Sequence, residues 1–283
     1  MLDKNKIIPL GASLNILRKF IFGAVTLFGT MSAISAHAGG ISDVSVDPKS
    51  YWGSDSHGYG DVIGGSTYDI QGATITRVGN VLTIAIATNF AGHAGIEAAQ
   101  APGGIGYGDL FLAQTWNPFG TDAHHVNDND NNGTLWSYGF ALDNRYSNTG
   151  GSFKLYQLNG KTNDANVLDS EKFMSCALGS ACYYRNGQAT AVNTKNNPNV
   201  AYTGMTGSWS VVANKEIKFT LTLASSSDLL KYSSLAMHWG ETCQNDVIEG
   251  QVSLVPLPGA LPLTGLGLAM LGLVRRRRAR AAA

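Results

Sequence analysis

Along the body of the chain, apolar and polar positions alternate with a period of two, in short runs. In ATITRVGNVLTIAIATNF, Leu82, Ile84 and Ile86 alternate with Thr83, Ala85 and Ala87, as a strand with one face in a core requires. KEIKFTLTLA repeats the pattern, with Ile217, Phe219, Leu221 and Leu223 on one face and Lys218, Thr220 and Thr222 on the other. Gly79-Asn80 sits between two such runs and predicts a hairpin, since its turn needs the positive φ that Gly and Asn tolerate. Asn159-Gly160, after FKLYQL, predicts a second hairpin. GTLWSYGFAL, GSWSVV, SLAMHWG and DVIEGQVSLV read as further strands, and Thr190 to Gly207 as a long polar connection. No segment is a convincing amphipathic helix. With 34 glycines and connections rich in Asn, Asp and Ser, the pattern predicts an all-β fold, an antiparallel β-sandwich or jelly roll.

Both ends break this pattern. Lys4, Lys6, Arg18 and Lys19 precede an apolar run from Phe20 to Met31, followed by Ala36-His37-Ala38. These are the parts of a secretory signal peptide, an N-terminal signal helix with an A-x-A cleavage site. The run is too short to cross a bilayer core of about 30 Å, which argues against an uncut membrane helix. At the other end, 18 apolar or small residues from Leu257 to Val274, interrupted by Pro258 and Pro262, run into Arg275. That is barely a membrane span, and its arginines are expected to stay on the cytoplasmic side. The expected organisation is a signal peptide over 1–38, a β-sandwich body over 39–254 and a tail over 255–283.

Charge and candidate chemistry refine the picture. The whole chain is formally neutral, but residues 39–274 hold 11 Lys and Arg against 19 Asp and Glu, a net charge of −8. An acidic body repels phosphate backbones and attracts cations, so nucleic acid is not an expected partner and a divalent metal such as calcium is a plausible one. In HHVNDNDNNGTLW, Asp128, Asp130 and Asn132 fall at alternate positions before Gly133. This is the first half of a calcium loop, in which alternate oxygens turn toward a hard cation. Gly139 stands where an EF-hand has its bidentate Glu, leaving Asp143 as the candidate fourth ligand of a different calcium site. The competing reading is a surface turn whose side chains bond their own backbone.

HWGETCQNDVIEG carries His238, Trp239, Glu241, Asp246 and Glu249. Paired carboxylates on a strand can serve glycoside hydrolysis, and Asp246 with Glu249 distantly resembles the carboxylate strand of jelly-roll glucanases. Gln244 stands in that pattern's leading carboxylate position, which favours structural roles, with Trp239 in the core and Asp246 bonding a turn or a metal. Three cysteines without a C-x-x-C pair suit an exported protein. The short CALGSAC spacing allows a disulfide between Cys176 and Cys182, although Cys243 could replace either partner. No nucleophile elbow, P-loop or dinucleotide fingerprint is present. Tyr51, Trp52, Tyr59, Tyr107, Trp116 and Phe119 lie in glycine-rich loops, where such rings either stack on sugars or fill the core.

The tail also spells an L-P-x-T-G pentapeptide, Leu261 to Gly265, that resembles a sortase signal. Only nine residues separate it from the arginines, about 14 Å of helix, too little for the span that sortase processing needs. The tail more closely resembles the PEP-CTERM sorting domain, in the variant that begins Val255, Pro256, Leu257 and Pro258. A short apolar helix follows, then Arg275, Arg276, Arg277 and Arg278. Leu257 replaces the glutamate of the commoner form. The resemblance implies a Gram-negative exported protein handled first by signal peptidase and then by exosortase. It further implies a transient inner-membrane anchor and delivery to the outer surface or extracellular matrix, often in association with exopolysaccharide. Segments 68–92, 108–120 and 237–250 resemble stretches that recur among such proteins, without an established ligand or activity. The expected role is structural or binding rather than enzymatic, with a carbohydrate-active enzyme or a calcium-stabilised adhesin as alternatives.

Overall fold

The Gly79-Asn80 turn joins strand β2 (Ile70–Val78) to β3 (Val81–Thr88), with Val78 opposite Val81 and Gly79 at φ 61°. Around this hairpin, the computed structural model describes residues 36–43, 67–98, 101–121, 125, 128, 131–174 and 187–254. The signal segment before Ala36, Tyr51, Trp52, Tyr59, Asp130, Cys176, Cys182 and the sorting tail from Val255 lie outside the described residues. The other strands are β1 (Ala36–Ser42), β4 (Ile96–Ala98), β5 (Ala101–Ile105), β6 (Leu110–Ala113), β7 (Tyr138–Leu142), β8 (Gly150–Leu158), β9 (Val167–Asp169), β10 (Ala189–Val192), β11 (Val200–Val212), β12 (Glu216–Thr222), β13 (Ser234–Gly240) and β14 (Val247–Ser253). Among the described residues, one five-residue helix, Ser170–Met174, and a 3-10 turn, Asp228–Leu230, complete the elements. No helix among the described residues is long and apolar enough to cross a membrane.

The fold is all-β and antiparallel, as the alternation predicts. Ten strands form one sheet in the order β1-β2-β3-β12-β11-β8-β7-β6-β13-β14. The sheet curls until its two edge strands meet and nearly close a barrel. A Cβ on Gly39 of β1 would lie 2.6 Å from the Cβ of Val252 in β14, and one on Gly250 would lie 2.7 Å from Ile41. Side chains fill the interior, including Ile75, Ile84, Ile86, Phe219, Leu155, Leu112, Met237 and Trp239. Phe140 stacks on Phe153 at 4.3 Å between ring centroids, and Phe219 meets both rings edge-on, a favoured aromatic geometry.

Part of the outer face is covered too. The paired strands β9 and β10 contribute Val167, Ala189 and Val192 to a second apolar cluster with Phe111, Trp136, Leu158 and Ala236. Strand β6 is therefore buried on both faces, which explains its unbroken LFLA. β13 is buried in the same way from Leu235 to Gly240.

Two sequence expectations are corrected. Asn159-Gly160 makes no hairpin, because β11 takes the neighbouring position beside β8, pairing Val200 with Leu158. The chain instead enters a loop held by Asn166, whose side chain accepts from the Gly160 N–H at 2.8 Å and donates to Thr162 O at 3.0 Å. The expected connection from Thr190 to Gly207 shrinks to residues 193–199, between β10 and β11. β11 looks polar in sequence because most of its residues remain at least partly exposed.

Candidate functional site

Polar groups concentrate where β13 and β14 meet their coverings. His238 points to the outer face of β13 and is fully buried beneath β10. Its Nε2 lies 2.7 Å from Ala189 O, and its Nδ1 lies 2.6 Å from Glu249 Oε1. A carbonyl only accepts, so Nε2 carries a proton, and the short Nδ1–Oε1 contact holds a second between imidazole and carboxylate. Either position of that proton leaves the pair net neutral, which suits its burial. Trp116 Nε1 donates to the other Glu249 oxygen at 3.0 Å, and the Trp116 backbone N–H donates to Gln251 Oε1 at 2.7 Å. The rings of Phe111 and Trp136 flank the imidazole. Glu249, whose side chain is 16% exposed, is the solvent-facing member of the pair.

The connection from Gly240 to Asp246 is buried throughout. Residues 106–108 run along it, with Thr242 N–H donating to Gly106 O, Gly106 N–H to Thr242 Oγ1 and Gly108 N–H to Gly240 O. Asp246 accepts from the Ile70 N–H at 2.7 Å and the Val247 N–H at 2.9 Å. Its role is to fasten this connection to β2. Gln244 donates to Thr190 Oγ1 at 3.0 Å and, at 3.4 Å, to the same Ala189 carbonyl that receives His238. Glu241 accepts from the Asp246 N–H through Oε2, while its Oε1 has no hydrogen-bond partner. Burial raises the Glu241 pKa to about 8, so it is mainly a neutral acid at pH 7. Cys243 is a free, fully buried thiol whose pKa burial also raises, the environment of an inert core cysteine.

A second centre lies at Asp109, which no sequence motif singled out. Its Oδ1 accepts from the Leu142 N–H and Arg145 Nη2, both at 3.0 Å, and its Oδ2 accepts from the Val192 N–H at 2.8 Å. Arg145 also donates to Tyr107 O. One carboxylate thus ties together β6, β7 and β10. Burial raises its pKa, with Arg145 and the two peptide N–H groups pulling the other way. The available sequence signal is an Asp opening an apolar run, GDLFLA, where a charge survives only if fully satisfied.

The candidate calcium residues divide between different places. Asp128 is buried, accepts the Phe119 N–H through Oδ2 and leaves no room for a Cβ at Gly133. Asn132 lines a shallow pocket with Asn131, Gly133, Leu135, Lys161, Thr162 and Asn163. Asp143 follows the far end of β7, where it accepts from Ser152 N at 3.1 Å and Ser152 Oγ at 2.7 Å. The segment holding Asp128 and Asn132 precedes β7, whose five residues span about 17 Å. Asp143 therefore does not join Asp128 and Asn132, because β7 carries it to the other end of the sheet. Among the described residues, no three His, Cys, Asp or Glu side chains form a metal-holding group.

The carboxylates of Glu249 and Asp246 likewise serve different elements, one on the outer face and one in the buried connection. Of the loop aromatics, Tyr107 is core and Trp116 is half-buried, whereas Phe119 is exposed. Trp239 is core as expected, its Nε1 donating to Gly108 O at 3.1 Å. Compared with known proteins, the chain matches no family model, no curated protein and no solved structure.

Proposed function

We propose that this is an exported protein, processed by signal peptidase and exosortase, whose barrel body has a structural or binding role at the cell surface or in an exopolysaccharide-containing matrix. The observation that carries the reading is the pairing of two addressing signals, Ala36-His37-Ala38 after an apolar run and Val255-Pro256-Leu257-Pro258 before one that ends in arginines. Cleavage after Ala38 would fall within β1, removing the three residues that face Val78, Arg77 and Thr76 while leaving Gly39 and Ile41 to pack against β14. At the other end, β14 stops at Ser253, just before the sorting motif. The polar groups of the body also suit a scaffold, since Asp109, Asp246 and His238 are spent on holding strands and connections together. Intact-mass measurement of the native surface protein is expected to show loss of residues 1–38 and of the arginine tail. A mature surface protein that retains Arg275 to Arg278 would refute exosortase sorting.

A further inference from the structure

Strands β8 and β11 are in plain register at both ends but not between. Tyr202 pairs with Tyr156 and Thr206 with Lys154, so Thr203, Gly204 and Met205 stand opposite Leu155 alone. The bulge is fastened from both sides. Thr203 Oγ1 donates to Leu155 O at 2.9 Å and accepts from the Met205 N–H at 3.3 Å, while Met205 packs on the core. Gly204 takes φ +83° with open space where a side chain would stand, a conformation other residues adopt only with strain. Bulges of this kind re-aim neighbouring side chains.

Tyr202 is the last residue in register before the bulge, and the bulge brings Thr206 opposite Lys154 on the same stretch of the sheet. The Tyr202 ring is 47% exposed and lies 5.6 Å from the Tyr156 ring at 48°. Its hydroxyl is 2.9 Å from Thr206 Oγ1, which fixes the ring's edge. Lys154 Nζ sits 5.7 Å from the Tyr202 centroid, and among the described residues no carboxylate forms an ion pair with it. A hydrogen-bonded Tyr202 ring, the partly buried Tyr156 ring and an ammonium group thus share one sheet face on a body whose net charge is −8.

From this arrangement we infer that Tyr156, Tyr202 and Lys154 form a binding platform for a carboxylate-bearing polysaccharide. The rings offer flat apolar faces to the C–H faces of successive sugars, and their tilt suits a chain that twists from one residue to the next. Lys154 supplies the charge complement to a uronate, and Thr206 offers a hydroxyl beside the rings. An anionic polypeptide would use the lysine but not the stacking faces. The assignment rests on the binding role proposed above and gives that role a ligand class.

The test is binding of the full-length chain, in mild detergent, to polygalacturonate, dextran and polyglutamate, followed by tyrosine fluorescence or calorimetry. Polygalacturonate is expected to bind most tightly. Tyr202→Ala should weaken it by at least about fivefold, the size of one lost aromatic contact, whereas Tyr202→Phe should stay within about twofold because the stacking face remains. Lys154→Gln should bring polygalacturonate down to the level of dextran. Both substituted residues are at the surface, so circular dichroism melts of the three variants should remain near that of the parent and verify folding. The inference is overturned if no polysaccharide binds, if polyglutamate binds as well as polygalacturonate, or if Tyr202→Ala binds normally. A correctly trimmed surface protein that ignores polygalacturonate would remove this site while leaving exosortase sorting intact.

Discussion

Glu241 shows what a single buried acid does to the whole fold. Its carboxyl titrates near 8 when folded against an ordinary value of 4.5. Below 4.5 both states hold the proton, so there is no difference. Between 4.5 and 8 only the folded state holds it, so stability falls as pH rises through this window, by an amount of the order of a few kcal/mol. Glu241→Gln keeps the shape without an ionisable group. It is expected to flatten the melting temperature between pH 5 and 8 and to raise it at pH 8, as measured by thermal melts across that range. An unchanged pH slope would show that another group is responsible. Asp109 differs from Glu241 in being fully satisfied, its two oxygens accepting three N–H groups. Asp109→Asn places an amide donor against one of them and leaves Arg145 without its charge partner. A loss of about 3 kcal/mol or more in urea unfolding is expected, the usual cost of breaking a buried pair from one side.

At the scale of elements, alternation shows which face of a strand is buried but not what covers the other face. The β2–β3 hairpin and β12 were legible because each has one wet face, and Leu82, Ile84 and Ile86 therefore stand apart from their neighbours. β6 and β13 are buried on both faces, so their runs mark strands without revealing the β9–β10 cover. His238 follows from that cover. In sequence it is one polar residue in SLAMHWG, and only the approach of Ala189 O makes it a buried, doubly bonded imidazole. The bulge in β11 was hidden for another reason: register is a relation between two strands, and Gly204 alone does not name its partner. The Asp128 loop was visible as a cluster, yet its link to Asp143 failed because sequence proximity ignores the direction in which β7 carries the chain.

For the molecule as a whole, closure of the barrel depends on glycine. Gly39→Val would drive a branched side chain into Val252, already 2.6 Å from the position of a Cβ. Overpacking of this kind costs about 1–3 kcal/mol. Val252→Ala should return part of that loss in the double variant, so that chemical denaturation of the two single variants and the pair yields a favourable coupling. Strict additivity would mean that the two strands do not touch.

The meeting of β1 and β14 also has a mechanical side. Gly39 lies on Val252 and Ile41 on Gly250, so the start of the first strand runs beside the end of the last. A pull applied between those two ends falls first on this packed line, which is not a rung of the hydrogen-bonded sheet. The body would part there like a seam before the ladders on either side take the load, leaving β2 through β13 to resist as one curved sheet.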